Sequence, residues 1–304
     1  MSSVALGDAL ALGSATSFAI ANVTIARGAR PDAEDNGAFV SLLLTTAIAG
    51  LAWIALGMVK GFPLVSGRAL LWFAGAGVFT AFVGRVFFYK SVQRLGAMRS
   101  SALKRLNPFF SVILGVLVLG ETLTHGMGIG LALIIASFAV LVIGTQRAAA
   151  TDASKSATGI GRWGYAYGVI SALGYSSGYL LRKMGLGEAH DALMGAAVGC
   201  LVGALLFLAT ALFNADYARA VRSTFARPNP VLIGAGVMSS LGQILYFAAL
   251  NEIAMSRVAL ISSMEVFVTL FLGFAFLRRH ERLTPALLVA AVLGVIGTAF
   301  IFLY

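Results

Sequence analysis

Charged side chains are scarce in this 304-residue sequence. Acidic and basic residues together make up 11% of it, whereas 59% of the residues are hydrophobic. Soluble domains carry about twice that share of charge. With a mean hydropathy of +0.92, the composition excludes a soluble protein and indicates an integral membrane protein.

Cysteine and long polar segments are nearly absent as well. Cys200 is the only cysteine, so it cannot form a disulfide within the chain, and its apolar surroundings predict a buried small side chain. The longest polar stretch, 146–162, is rich in Ala, Ser, Thr and Gly and predicts a mobile linker. We therefore predict two halves, 1–147 and 163–304, joined by a linker at 148–162. A shorter polar break covers 216–230.

Sequence signatures of catalysis are missing. The histidines His125, His190 and His280 are scattered, with no HExxH and no His/Cys/Asp cluster at metal-ligand spacing. There is also no GxxxxGK[ST] loop and no GxSxG turn. We therefore predict no metal, no cofactor and no catalytic residue, and the sequence provides no site at which ATP could drive the protein directly.

Apolar segments long enough to cross roughly 30 Å of hydrocarbon follow one another along the chain. None alternates between apolar and polar residues as a strand of a membrane barrel does, so the segments are predicted to be helices. The first has no basic n-region and no cleavage site, which predicts a permanent span. The ten predicted spans lie near 4–26, 37–59, 69–93, 96–119, 123–145, 163–183, 190–213, 230–250, 256–277 and 284–303.

The net charge of +10 is concentrated in short loops between spans. In such loops anionic lipid headgroups explain basic residues better than nucleic acid does. Loops after the odd-numbered spans carry 14 Lys and Arg residues, and the loops after spans 2, 4, 6 and 8 carry five, among them Arg182 and Lys183. The positive-inside rule then predicts that both termini lie outside the cytoplasm.

The second half of the chain repeats the first. At an offset of 158, Lys104 aligns with Ser262 and Asn107 with Glu265. Other pairs, at offsets of 157 or 158, are Ser14 with Ser171, Phe18 with Tyr175, Gly84 with Gly242, and Arg85 with Gln243. The repeat covers five spans, an odd number, so the second copy enters the membrane from the opposite side. The predicted fold class is an all-α integral membrane protein with ten transmembrane helices in two five-helix inverted-topology repeats.

A charged residue within a span requires a partner or a water-filled cavity, because inserting its side chain into the membrane costs roughly 2.5 to 3.5 kcal/mol. Four were found in the sequence: Arg85, Lys104, Arg105 and Glu265. Lys104 and Glu265 lie on polar helix faces at equivalent depth. They either hold the carboxylate and ammonium of an amino acid across a cavity or form a structural ion pair. Arg105 lies off the polar face and is predicted to snorkel.

A central cavity is predicted from polar and aromatic side chains of both halves. Tyr and Gln in mid-span need hydrogen-bond partners, which favours a cavity, although aromatic residues at helical spacing are also typical of packing. Pro108 bends span 4, either as a hinge beside the cavity or as a packing kink. The predicted cavity residues are Ser14, Phe18, Phe79, Phe82, Arg85, Lys104, Asn107, Tyr175, Tyr179, Gln243, Tyr246, Ser262 and Glu265.

Glycines at 195, 199 and 203 form a small-xxx-small ladder in span 7. Such a ladder lets another helix approach closely. It predicts either a contact within the chain or a dimer seam. The sequence leaves both a monomer and a dimer open.

Taken together, the two five-span halves, the glycine-rich beginnings of spans 3 and 8 and the Gly-Glu-x-Leu-Thr turn at 120–124 resemble the drug/metabolite transporter superfamily, specifically its EamA-type members. The second half departs from the pattern, with Arg-Arg-His-Glu at 278–281 and Glu-Val at 265–266 in place of Asn-Pro at 107–108. The second departure makes the two halves chemically unequal at the predicted cavity.

This resemblance implies a secondary transporter that exports small metabolites by alternating access. The chain is most similar to exporters of aromatic amino acids, which implies a bacterial inner membrane, a small solute and lipid as partners. A broad drug and metabolite efflux transporter is the alternative. A membrane-embedded enzyme acting on lipid-linked substrates would need a cluster of carboxylates or histidines near one interface, which the sequence lacks.

Overall fold

The computed structural model describes residues 3–28, 37–63, 65–88, 91, 103, 106–152, 162–277 and 285–303. Throughout these residues the regular structure is helical. The helices are α1 (Ser3–Gly28), α2 (Ala38–Lys60), α3 (Gly67–Gly77, continued by a π-helix at Val78–Gly84), α4 (Asn107–Leu119), α5 (His125–Asp152), α6 (Arg162–Ala189), α7 (Ala192–Ala211), α8 (Ala215–Ala226), α9 (Pro230–Glu252), α10 (Met255–Ser262), α11 (Glu265–Leu277) and α12 (Pro285–Leu303).

Two hydrogen bonds join the halves reciprocally. Ser14 Oγ donates to the carbonyl oxygen of Gly242 at 2.8 Å, and Ser171 Oγ donates to that of Gly84 at 2.6 Å. The four residues are those that the sequence repeat aligns. A contact made twice with its partners exchanged is typical of a two-fold relation, and it packs α1 against α9 and α6 against α3.

The same two glycines accommodate equivalent aromatic rings. A Cβ on Gly242 would lie 3.0 Å from the ring of Phe18, and a Cβ on Gly84 would lie 3.0 Å from the ring of Tyr175. The ring faces therefore pack directly on backbone. With five spans in each repeat, the two-fold relation inverts the second copy, and the predicted fold of ten transmembrane helices in two inverted repeats is confirmed.

Span 9 is divided into two helices. Helix α10 ends at Ser262 and α11 begins at Glu265. At the equivalent position of the first repeat, α4 begins at Asn107 with Pro108 in its first turn. A proline in a first turn removes an N–H that has no intrahelical partner there, and the prediction that Pro108 is a hinge or a kink in span 4 stays a prediction.

The glycine ladder of α7 is a contact within the chain. A Cβ on Gly195 would meet the rings of Phe73 at 2.8 Å and Phe247 at 2.7 Å. One helical turn further along, Gly199 faces Gly77 of α3, and a Cβ on Gly77 would collide with the carbonyl oxygen of Gly199. The absence of side chains therefore lets α3 and α7 pack backbone to backbone.

This packing yields a stability prediction. We expect Gly77→Ala to destabilise the purified protein by about 1–3 kcal/mol, because neither backbone can yield to the added methyl group. Gly128→Ala is the matched control, since a Cβ at Gly128 of α5 meets nothing within 4 Å. Thermal unfolding in detergent measures both. Equal melting temperatures for the two variants would contradict the close approach of α3 and α7.

The structure corrects two loop predictions. Arg182 and Lys183 lie within α6, not in a loop, and Arg182 is only 4% exposed. Lys183 instead donates to the carbonyl oxygen of Ile253 at 2.8 Å, beyond the end of α9. The predicted polar break at 216–230 also contains α8, a helix whose amino end is capped by Asn214.

Candidate functional site

A cavity of about 430 Å³ lies where the two repeats meet. Seven residues singled out from the sequence line it, namely Phe18, Asn107, Pro108, Tyr179, Tyr246, Ser262 and Glu265. The other lining residues that the structure describes are Asn22, Phe88, Phe138, Ala259, Ser263, Val266 and Thr269. The lining is thus a mixture of aromatic rings, hydroxyls and one carboxylate.

Glu265 lies in the cavity at the first position of α11. A helix amino end favours a negative charge, because its free N–H groups point toward it. Asn22 of α1 donates from Nδ2 to Glu265 Oε1 at 2.7 Å. Sequence reasoning missed Asn22, although it lies four residues after Phe18 and so on the same face of α1.

Asn107 occupies the equivalent position at the start of α4. Its Oδ1 accepts hydrogen bonds from Ser176 Oγ at 2.7 Å and from Ser111 Oγ at 3.2 Å. Ser176 Oγ also lies 2.9 Å from the carbonyl oxygen of Asn107. The first repeat therefore places a neutral amide, held by α6, where the second repeat places a carboxylate held by α1. The halves are chemically unequal at the cavity.

Three hydroxyl groups in the cavity wall are buried without a hydrogen-bond partner in the described part of the chain. They belong to Tyr246, Ser262 and Thr269. A buried polar group left unpaired costs about 1–3 kcal/mol, so such groups rarely cluster without a reason. A cluster in the wall of a cavity is typical of groups that bind a ligand or water.

A buried guanidinium lies behind the aromatic wall. Arg182 Cζ is 4.6 Å from the ring centroid of Phe247 and 5.1 Å from that of Tyr179. Its Nη1 donates to Gln243 Oε1 at 2.8 Å, and its Nη2 lies 3.4 Å from Thr80 Oγ1. Gln243, predicted in the cavity, is instead part of this cluster. Arg182 lies three residues after Tyr179, which is the helical signal that could have found it.

Several other predicted cavity residues lie outside the lining. Ser14 and Tyr175 make the reciprocal contacts with Gly242 and Gly84. Phe79 is 38% exposed on the π-helical part of α3, and Phe82, on the same segment, is half-buried. Ser14 and Tyr175 therefore pack between helices, and Phe79 and Phe82 lie away from the cavity lining.

Of the three basic residues predicted within spans, the structure describes Arg85 only. Arg85 Nη1 donates to the carbonyl oxygen of Ala38 at 3.2 Å, in the first turn of α2. Lys104 and Arg105 lie outside the described residues. The pairing of Lys104 with Glu265 therefore stays a prediction.

Polar contacts join the two repeats near the amino ends of α1 and α10. Asp8 of α1 accepts hydrogen bonds from Arg257 of α10, at 2.7 Å from Nε and 2.8 Å from Nη2. Glu121 accepts from the N–H groups of Met255 at 2.6 Å and Ser256 at 2.9 Å. Glu121 belongs to the Gly-Glu-x-Leu-Thr turn, so this turn of the first repeat caps a helix of the second.

Comparison with known proteins places the chain in a family. The model of the EamA-like transporter family matches residues 5–143 and 162–303, one match in each half. Chains of solved structures also match, 29 in number. One of them, described only as "Crystal structure of protein", aligns over 99% of this chain and 98% of its own length, with a TM-score of 0.67 and 18% identity, which shows a common fold alone. No curated protein matches. Because the family model covers most of both repeats, the chain belongs to the EamA-like transporter family and is a membrane transporter.

Proposed function

We propose that this transporter exports amino acids with aromatic or hydrophobic side chains across a bacterial inner membrane by alternating access. The observation that carries the proposal is the position of Glu265, a carboxylate at a helix break inside a cavity between inverted repeats. Transporters of this architecture bind their substrates at such breaks near the mid-plane.

The lining of the cavity suits this substrate class. The Glu265 carboxylate, held by Asn22 at 2.7 Å, is complementary to an ammonium group. The rings of Phe18, Phe138 and Tyr179 provide an apolar and aromatic surface for a side chain. In the sequence-based hypothesis Lys104 holds the carboxylate of the substrate.

The direction of transport is supported by charge and exposure. The basic loops predict that the carboxyl end of α1 lies on the cytoplasmic side, and Asn22, in the half of α1 nearer that end, is exposed. The wall toward the amino end of α1 contains the nearly buried Tyr246 and, beyond it, the pair of Asp8 and Arg257. A cavity reached from the cytoplasm suits an exporter. Rocking of the two repeats would then expose it to the other side.

Broad efflux of drugs and metabolites is the second candidate. The same carboxylate and aromatic rings suit lipophilic organic cations, which carry no carboxylate. The two candidates therefore differ in whether the substrate must be zwitterionic.

Counterflow into liposomes containing the purified protein tests the proposal. We expect unlabelled phenylalanine, tyrosine or leucine inside the vesicles to drive uptake of the labelled amino acid, and glutamate and lysine to be poor substrates. Exchange of organic cations without exchange of any amino acid would instead establish broad efflux. Repeating the assay as net flux with and without a pH gradient distinguishes proton coupling from facilitated diffusion.

A further inference from the structure

Arg182 is a buried cation without a counter-ion among the residues that the structure describes. It is 4% exposed, and it forms no ion pair there. Removing a positive charge from water without pairing it is strongly unfavourable, so charged residues inside membrane proteins usually mark a path for ions or substrates. The burial of Arg182 therefore indicates that an anion pairs with it during at least part of the transport cycle.

The neighbours of Arg182 hold the guanidinium without neutralising it. Gln243 and Thr80 are uncharged acceptors at 2.8 Å and 3.4 Å, and Phe247 offers a ring face. Its Nε is buried and has no hydrogen-bond partner among the described residues. An arginine whose planar fork is only partly used is suited to bind a carboxylate.

Tyr246 lies next to Arg182 and also lines the cavity. Its ring centroid is 6.0 Å from Arg182 Cζ and 4.5 Å from the ring centroid of Tyr179. It lines the cavity, and its hydroxyl is buried without a partner. The positive charge of the nearby guanidinium favours an anionic acceptor at this hydroxyl.

We propose that Arg182 and the Tyr246 hydroxyl form an anion-binding pole of the transport site, at the same cavity as the carboxylate of Glu265, and that this pole binds the carboxylate of the substrate. The proposal rests on the proposed function, because it assigns the second charged group of the same substrate. It gives Arg182 and Tyr246 the role that the sequence-based hypothesis gave to Lys104. Tyr246 would contact the carboxylate, while Arg182 acts behind the tyrosine rings as the source of positive potential. A cavity of about 430 Å³ is roughly 9 Å across as a sphere, so one small molecule can reach both walls.

The two poles define a substrate class. Glu265 attracts a positive group and the Arg182 cluster a negative one, so a zwitterion satisfies both. A plain amine leaves the anion-binding pole empty, and a plain carboxylate leaves Glu265 unpaired and is repelled by it. The geometry thus provides a reason for selecting amino acids over organic cations of the same shape.

Binding of three related compounds tests the proposal. Phenylalanine carries both charged groups, phenethylamine only the amine and 3-phenylpropionate only the carboxylate. Their affinities for the purified protein are measured by ligand-induced thermal stabilisation. The variants are Tyr246→Phe, which removes only an unpartnered hydroxyl, Arg182→Gln, and Arg182→Lys, which keeps the charge. Tyr165→Phe, at an exposed tyrosine outside the cavity, is the matched control.

We expect Tyr246→Phe and Arg182→Gln to lower the affinity for phenylalanine relative to phenethylamine at least tenfold. Arg182→Lys is expected to lower this ratio less, because the charge remains. The proposal is overturned if wild-type protein binds neither carboxylate, or if folded Tyr246→Phe leaves the ratio unchanged. Binding of 3-phenylpropionate that depends on Tyr246, in a protein that exchanges no amino acid in liposomes, would support the anion-binding pole and refute the proposed function alone.

Discussion

Replacing Glu265 by Gln is expected to lower amino-acid counterflow about 100-fold, because losing one partner of a buried charge pair costs about 2–5 kcal/mol and each 1.4 kcal/mol is about a factor of 10. Glutamine has nearly the same shape, and its Oε1 can still accept the hydrogen bond from Asn22. The loss is therefore expected in transport and not in thermal stability. Initial rates in liposomes and melting temperatures in detergent measure the two effects separately.

A matched replacement distinguishes a role in transport from a general effect of the charge. Glu188→Gln, at the end of α6, removes a carboxylate that pairs with Arg68 at 3.4 Å on the exposed surface. Such pairs contribute about 0–1 kcal/mol, so we expect this control to transport at the wild-type rate. Normal transport by Glu265→Gln would remove Glu265 from the mechanism.

The pair of Asp8 and Arg257 gives the largest expected effect on stability. The two side chains are only 9% and 14% exposed and share two hydrogen bonds. Asp8→Asn leaves the guanidinium of Arg257 unpaired, and breaking a buried pair in this way costs about 3–5 kcal/mol. We expect a correspondingly lower melting temperature, and a smaller loss in the double variant Asp8→Asn/Arg257→Gln, which removes both charges.

The exposed pair of Asp216 and Arg219 on α8 provides the comparison. Its atoms are 2.7 Å apart, but both side chains are more than 60% exposed. Asp216→Asn is expected to change stability by less than about 1 kcal/mol, because solvent screens the interaction. If the double variant at Asp8 and Arg257 proved no more stable than Asp8→Asn alone, the two residues would not be coupled.

The repeat in the sequence aligned the residues whose contacts relate the two halves. Ser14 and Ser171, or Gly84 and Gly242, align because each pair occupies the same place in its own repeat. A two-fold relation then makes their contacts equivalent. The aligned pair of Asn107 and Glu265 likewise marks two helix starts at one cavity. Duplication thus carries long-range information that a single segment does not.

Residues whose environment comes from distant helices could not be predicted in this way. The hydropathy pattern predicts that span 6 ends near Arg182, because it depends only on neighbouring residues in the sequence. The burial of this arginine depends instead on Phe247 and Gln243 of α9. Asp8 and Arg257 each lie near a span end, where a charge is expected to reach water. Only the packing of α1 against α10 shows that they are partners.

Accessibility of the cavity from each side of the membrane tests the central claim most directly. Cys200 is the only cysteine and is buried, so Cys200→Ala provides a background in which Val266, in the cavity wall, is replaced by Cys. In oriented vesicles, the rate of labelling by a membrane-impermeant thiol reagent is measured from either side with and without phenylalanine. Alternating access predicts labelling from both sides, with the amino acid raising one rate and lowering the other. Labelling from one side only, whatever the amino-acid concentration, would contradict it.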